Sequence, residues 1–483
     1  MLRKLLVSAG ATLALVTGAL AGTVAGTVAS TAAAHAATQL PCDIYAAAST
    51  PCVAAHSTVR ALFATYDGPL YQVKRASDGA TTNISPLTAG GYANAAAQAS
   101  FCAGTSCTIT EIYDQSGHGN NLTIQGPGGN GGQDVGANAS ALPVMAGGHL
   151  AYGVYVSPGV GYRDNATSGV ATGSQAQGAY MVTAGTHVNG GCCFDYGNAE
   201  TNSRDNGNGH MDAINFSKEC WFAPCSGSGP WVQADLENGL FAGANGSDTS
   251  NLGNSSAFVT ALLKNNGTTT YAIKGGNAQS GGLTTWYSGA LPNLGGYAPM
   301  HQEGAIILGT GGDDSNSSAG SFFEGVLTSG YPTDAADNSV QANIVSVGYA
   351  VPPAGATGIV AAGDKSAVCM DNNNGSPANG NKVQMWACDG NAAAQNWTPE
   401  SNGTVQIDGG CLDITGASYS NGTLVEWWPC NGGANQVWQA ENGQLVNPTS
   451  GRCLDDPASN TANGTQLILY ACNGGNNQQW SVP

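Results

Sequence analysis

The sequence predicts an all-β protein in which a large first block is followed by a threefold repeat. Short apolar runs alternate with clusters of Gly, Asn, Asp and Ser, as strands alternate with turns. No long stretch keeps a helical period. Cys369, Cys411 and Cys453 recur at a step of 42 residues, and Cys388, Cys430 and Cys472 keep that step.

The chain opens on Met1-Leu2-Arg3-Lys4, an uncharged apolar run to Ala21 and a small-residue end, Ala34-His35-Ala36. A basic start, an apolar middle and an A-x-A end predict a secretory signal peptide over 1–37. The alternative is a membrane anchor, but no later run is long and apolar enough to span a bilayer. Export is expected, as a soluble extracellular monomer. Only 9% of residues are charged, and 31 acids against 13 bases leave a net charge of −18. That balance disfavours nucleic acid and anionic membranes as partners and is indifferent to a neutral polysaccharide.

The 14 cysteines fall into close pairs: Cys42 with Cys52, Cys102 with Cys107, Cys192 with Cys193, Cys220 with Cys225, Cys369 with Cys388, Cys411 with Cys430 and Cys453 with Cys472. In an exported chain they read as seven disulfides. Neighbouring cysteines are an awkward pair, so Cys192 and Cys193 could each bond elsewhere. Zinc is the competing use, but no CxxC or HExxH spacing occurs and no metal is expected.

The first block runs over 38–350. Its most informative stretch is Trp231-Val232-Gln233-Ala234-Asp235-Leu236-Glu237-Asn238-Gly239. Read as one strand, it places Trp231, Gln233, Asp235 and Glu237 on one face. That face is either a solvated sheet surface or a carboxylate cleft edged by an aromatic. A second acid, Asp313, follows an apolar run in Gly309-Thr310-Gly311-Gly312-Asp313, where glycines let a ligand approach the backbone. The same string also makes a good turn. No nucleophile elbow, P-loop or dinucleotide fingerprint is present. His56, His187 and His210 are scattered and are expected to be structural or pocket-lining.

A Pro-containing linker over 351–358 leads to the repeats at 359–483. Each closes on a tryptophan (Trp397, Trp438 and Trp480), and three such units must bury their faces against one another. These repeats resemble a ricin-type β-trefoil, the pattern of carbohydrate-binding module family 13. The resemblance implies one sugar pocket per repeat. The first would use Asp371, Gln384, Trp386 and Gln395, with Ala394 where Asn is expected. The second would use Asp413, Glu426, Trp428, Asn435 and Gln436, and the third Asp455, Tyr470, Asn477 and Gln478. In such pockets an aromatic face covers sugar C–H groups while fixed polar groups bind hydroxyls.

Runs through the first block carry a second resemblance: Pro51-Cys52-Val53-Ala54-Ala55-His56, Ile112-Tyr113-Asp114-Gln115-Ser116-Gly117, Cys192-Cys193-Phe194-Asp195-Tyr196-Gly197-Asn198-Ala199-Glu200 and Glu324-Gly325-Val326-Leu327-Thr328-Ser329-Gly330. They are similar to the family 54 glycoside hydrolases, the B-type α-L-arabinofuranosidases. The resemblance implies a jelly-roll-like β-sandwich and a retaining, cofactor-free release of terminal arabinofuranose from arabinoxylan or arabinan. Glu237 would be the nucleophile and Asp313 the acid/base. Cys192–Cys193 would form a vicinal disulfide against the sugar. Asp235, Asn238 and the Gly312 backbone would hold its hydroxyls and Trp221 would line the pocket. Gly239 stands where a second Asn is usual. A non-catalytic, lectin-like polysaccharide binder is the alternative.

Overall fold

The structure, a computed structural model, describes residues 39–482 except 103, 245–247, 295–296, 298–299, 353–358, 362–367, 390, 401 and 442. The expected signal peptide, and most of the expected linker, lie outside the described residues. Residues 38–483 form one compact unit.

Two antiparallel sheets make the first block. One has six strands, in the order Cys52–Ser57, Glu324–Ser329, Gln177–Thr183, Val259–Asn265, Thr270–Asn277 and Thr284–Ala290. The other has ten and begins at one edge Leu240–Phe241, Trp231–Asp235, Asp212–Ser217, Asp195–Ala199, Ala305–Leu308. Their inner faces share one apolar core, which holds Tyr180 and Val182 from the first sheet and Ile214, Phe216, Val232 and Ala234 from the second. The result is the expected sandwich, since each sheet must cover one face and alternation supplies the residues for it.

One expectation fails at element level. The block contains a 13-residue helix, Asp334–Ser346, where no helical period was read. Thr333 caps it by accepting from Ala336 N, and Asp334 and Asp337 lie in its first turn. Asp337 binds the buried amine of Lys264 at 2.7 Å. Val340 and Ile344 enter the core, but Asp337 and Gln341 are buried too, which blurs the apolar stripe.

All seven expected disulfides are present. In the first block Cys42 bonds Cys52, closing a separation of 10 residues. Cys102 bonds Cys107 and Cys220 bonds Cys225, each across a separation of 5, so both staple single turns. Cys192 and Cys193 bond to each other rather than elsewhere. Those of the three repeats, Cys369 to Cys388, Cys411 to Cys430 and Cys453 to Cys472, each span 19 residues.

The C-terminal repeats build a second core in which Trp397, Trp438 and Trp480 meet. The Trp438 and Trp480 indole N–H groups donate to Leu412 O and Leu454 O. Among the described residues Trp397 Nε1 is buried without a partner, so the first repeat departs from the other two.

Candidate active site

The strand Trp231–Asp235 ends two residues before Glu237, which corrects the reading of one continuous strand. The Asp235 carboxylate accepts from Glu237 N at 2.9 Å and turns the chain. Residues 236–239 then reverse direction into Leu240–Phe241, with Asp235 opposite Leu240. Glu237 sits in this turn at φ 68°, a left-handed conformation uncommon for a non-glycine residue and concentrated at functional sites. Trp231 is buried and donates to Ser226 O, so it edges no cleft.

The Glu237 side chain is 1% exposed. One carboxyl oxygen accepts from Asn206 N at 2.6 Å and the other from His210 N at 2.8 Å. Burial pushes this carboxyl upward, and those two N–H groups oppose the shift by favouring the anion. The His210 ring stands 3.6 Å from Glu237 and 3.6 Å from Glu303. His210 therefore belongs to the site, whereas His56 is structural, bonded to Tyr196 Oη and Asn120 O. His187 bonds to Val156 O through Nε2 and stacks on Tyr155, away from Glu237.

Asp313 arrives from the loop after Ala305–Leu308 and accepts from Ser315 N and Oγ at 3.0 and 2.5 Å. Asp313 and Glu237 open onto one cavity of about 320 Å³. Asp235, Gly239, Gly312, Trp221 and the Cys192–Cys193 disulfide line the same space. Trp221 is 54% exposed at the rim, within the short loop that the bond between Cys220 and Cys225 closes. It is followed by Phe222, which stacks on Phe241. A Cβ on Gly239 would lie 2.6 Å from the Phe222 ring, so this aromatic occupies the space a side chain there would need. Asn238 is not among the lining residues, and its carboxamide oxygen accepts from Gly209 N.

Sequence reasoning missed Glu200, Asp205, Asn130 and Met211, which also line the cavity. Burial, reinforced by the neighbouring Glu237 charge, pushes the Glu200 carboxyl up to about 9. Behind the cavity, Asp195 is wholly buried and pairs with Asp235; burial and the Asp235 charge raise it strongly. Cys193, Asp195 and Asp235 bring three potential metal-ligand atoms together, but the Cys193 sulfur is already bonded to Cys192. Burial disfavours the ionised form of the two remaining carboxyls, which makes them a poor ligand set.

In the repeats, Asp413 accepts from Asn435 and Gln436, and Asp455 from Asn477 and Gln478. Asp371 accepts from Gln384 and Gln395. Glu426 faces Asp413 across paired strands, Trp428 and Trp386 are half-buried on the same strands as Glu426 and Gln384, and Tyr470 is exposed.

A sandwich whose loops gather carboxyls distant in sequence around one hollow offers the pair of acids that glycoside hydrolases use. Residues 41–350 match the family described as "Alpha-L-arabinofuranosidase B, catalytic", and the chain belongs to it. Residues 356–480 match the ricin-type β-trefoil lectin domain. An alpha-L-arabinofuranosidase of Hypocrea jecorina is 61% identical over 319 residues, covering 65% of this chain and 63% of the relative. The "Arabinofuranosidase/B-xylosidase" of Trichoderma koningii is 61% identical with the same coverage. The chain thus aligns with less than two thirds of the length of these relatives. A solved arabinofuranosidase complexed with arabinofuranosyl-alpha-1,2-xylobiose is 38% identical with TM-score 0.64, over 92% of this chain and 99% of that one.

Proposed function

We propose that the protein is a secreted, retaining exo-α-L-arabinofuranosidase acting on arabinoxylan or arabinan. The observation that carries this reading is the opening of Glu237 and Asp313, from two separate turns, onto one cavity of about 320 Å³. Retention needs two such carboxyls ~5–5.5 Å apart. Glu237, aimed by two backbone N–H groups, attacks the anomeric carbon as the anion while Asp313 protonates the departing oxygen. Asp313, then ionised, takes a proton from water, and that water releases arabinose from Glu237 with its configuration kept. Asp235 and the Gly312 backbone hold ring hydroxyls, the disulfide covers one sugar face and Trp221 receives the aglycone. The family membership and the ligand of the solved relative support this substrate class.

The reading assigns residues 1–37 to a signal peptide, 38–350 to catalysis, 351–358 to a linker and 359–483 to binding neutral polysaccharide. The three aspartates locked by side-chain amides support the last assignment. Hydrolysis of a chromogenic arabinofuranoside is the test. Glu237→Ala is expected to lose on the order of 10⁴-fold or more in kcat while remaining folded, and azide is expected to restore turnover as the glycosyl azide of inverted configuration. Equal turnover by parent and variant would remove the assignment.

A further inference from the structure

Glu200 stands at the end of the strand Asp195–Ala199, is 0% exposed, and lines the cavity beside Glu237. Among the described residues no N–H or hydroxyl of another residue donates to either of its carboxyl oxygens. Its backbone carbonyl is bound by Arg163, which also donates to Gly312 O, and no Arg163 N–H reaches the Glu200 carboxyl. The Glu237 carboxyl lines the same cavity, and its charge pushes the Glu200 carboxyl further up. Two buried carboxyls on one cavity, one of them without a donor from any other described residue, are not both ionised. Glu237 has two N–H donors from another segment to hold its negative charge, and Glu200 has only its own main-chain N–H nearby, so the proton resides on Glu200.

Resting on the assignment of Glu237 as nucleophile, we infer that Glu200 is a positioning residue: as the neutral acid it donates a hydrogen bond to the Glu237 carboxylate, fixing its orientation and keeping it ionised. Other charged groups around the pair are Arg163, whose charge favours an ionised Glu200, Asp235 and Asp195, Asp205 and Asp313 on the same cavity, and His210, which also faces Glu303. The two N–H bonds and the Glu200 proton stabilise the anion on Glu237, and Asp235 opposes it. Once Glu237 becomes an ester it loses its charge, and the Glu200 proton faces a weaker acceptor. The bond thus favours departure of the sugar in the second step, when the carboxylate re-forms.

The sign of the pH effect follows. A donor to the anion lowers the value at which Glu237 protonates, so its removal moves the acid limb of the kcat/KM profile upward. Glu200→Met, of similar size but without a donor, is expected to raise that limb by roughly one pH unit and to lower kcat on the order of 10-fold. Glu200→Gln keeps an N–H donor and is expected to retain the parental limb and activity within a few-fold. The infrared band of protonated carboxylic acids near neutral pH should be weaker in Glu200→Gln than in the parent by the contribution of one carboxyl. That reading needs no activity and stands even where Glu200→Met fails to fold. Parental pH profile and kcat in a folded Glu200→Met, a Gln variant as impaired as the Met variant, or the same infrared spectrum in parent and Gln variant would each overturn the inference. The failures are separable: turnover surviving Glu237→Ala removes the nucleophile, whereas an inactive Glu237→Ala with silent Glu200 variants removes only the role of Glu200.

Discussion

Gly312 is constrained by what stands behind it. A Cβ at this position would collide with a Glu200 carboxyl oxygen and with the Met211 sulfur. Gly312→Ala should therefore displace the carboxyl that faces Glu237 while leaving the sheets intact. We expect a folded variant that loses on the order of 10²-fold in kcat/KM, measured on a chromogenic arabinofuranoside, because small misplacements at reacting groups are costly. A variant with parental kinetics would show that the Gly312 loop can relax away from Glu200. Glu237 and Asp313 were legible because an acid pair and a glycine-flanked acid stand out, and the family resemblance selected them. In the sequence Glu200 is only the last residue of the run Cys192-Cys193-Phe194-Asp195-Tyr196-Gly197-Asn198-Ala199-Glu200. A single acid after Gly-Asn-Ala carries no periodic signal, and its meaning comes from where its strand ends. The turn at Glu237 directs the carboxamide oxygen of Asn238 to Gly209 N.

At the level of elements, the six-stranded sheet is tied to the helix Asp334–Ser346 by a buried charge cluster. Arg60 reaches Glu324 at 2.5 and 2.7 Å and Asn343 at 2.8 Å, and the hydroxyls of Tyr180 and Tyr349 also donate to Glu324. Arg60→Met would strand the Glu324 charge in the interior. The expected cost is about 3–5 kcal/mol, read from chemical denaturation, and Glu324→Gln in the same chain should recover part of it. Such clusters explain which elements the sequence concealed. A helix that buries Asp337, Gln341 and Asn343 against fixed partners lacks the apolar stripe that reveals helices. Similarly, the alternation at 231–235 was read correctly but extended too far, because the Asp235 side chain captures the Glu237 N–H and ends the strand.

For the whole molecule, an all-β block followed by a threefold repeat was plain from composition and from the cysteine step, since both are properties of long segments, whereas the sandwich and the trefoil came with the family resemblances. The assembly of one hollow from residues as distant as Asn130 and Ser315 was not plain, because antiparallel pairing across the ten-stranded sheet joins segments that share no local pattern. That hollow has a consequence for the substituents that the proposed enzyme admits. Glu200, Asp205, Asp235, Glu237 and Asp313 line it, no lysine or arginine among the described residues does, and the chain as a whole carries −18. Uronate-decorated side chains should be repelled at the entrance while uncharged pentoses pass. With a matched pair of oligosaccharides, one bearing a glucuronate next to the arabinose, kcat/KM should be lower for the acidic one, and added salt should narrow the gap without altering the neutral one. Equal rates at low ionic strength would mean that this acid-rich mouth does not sort its substrates by charge.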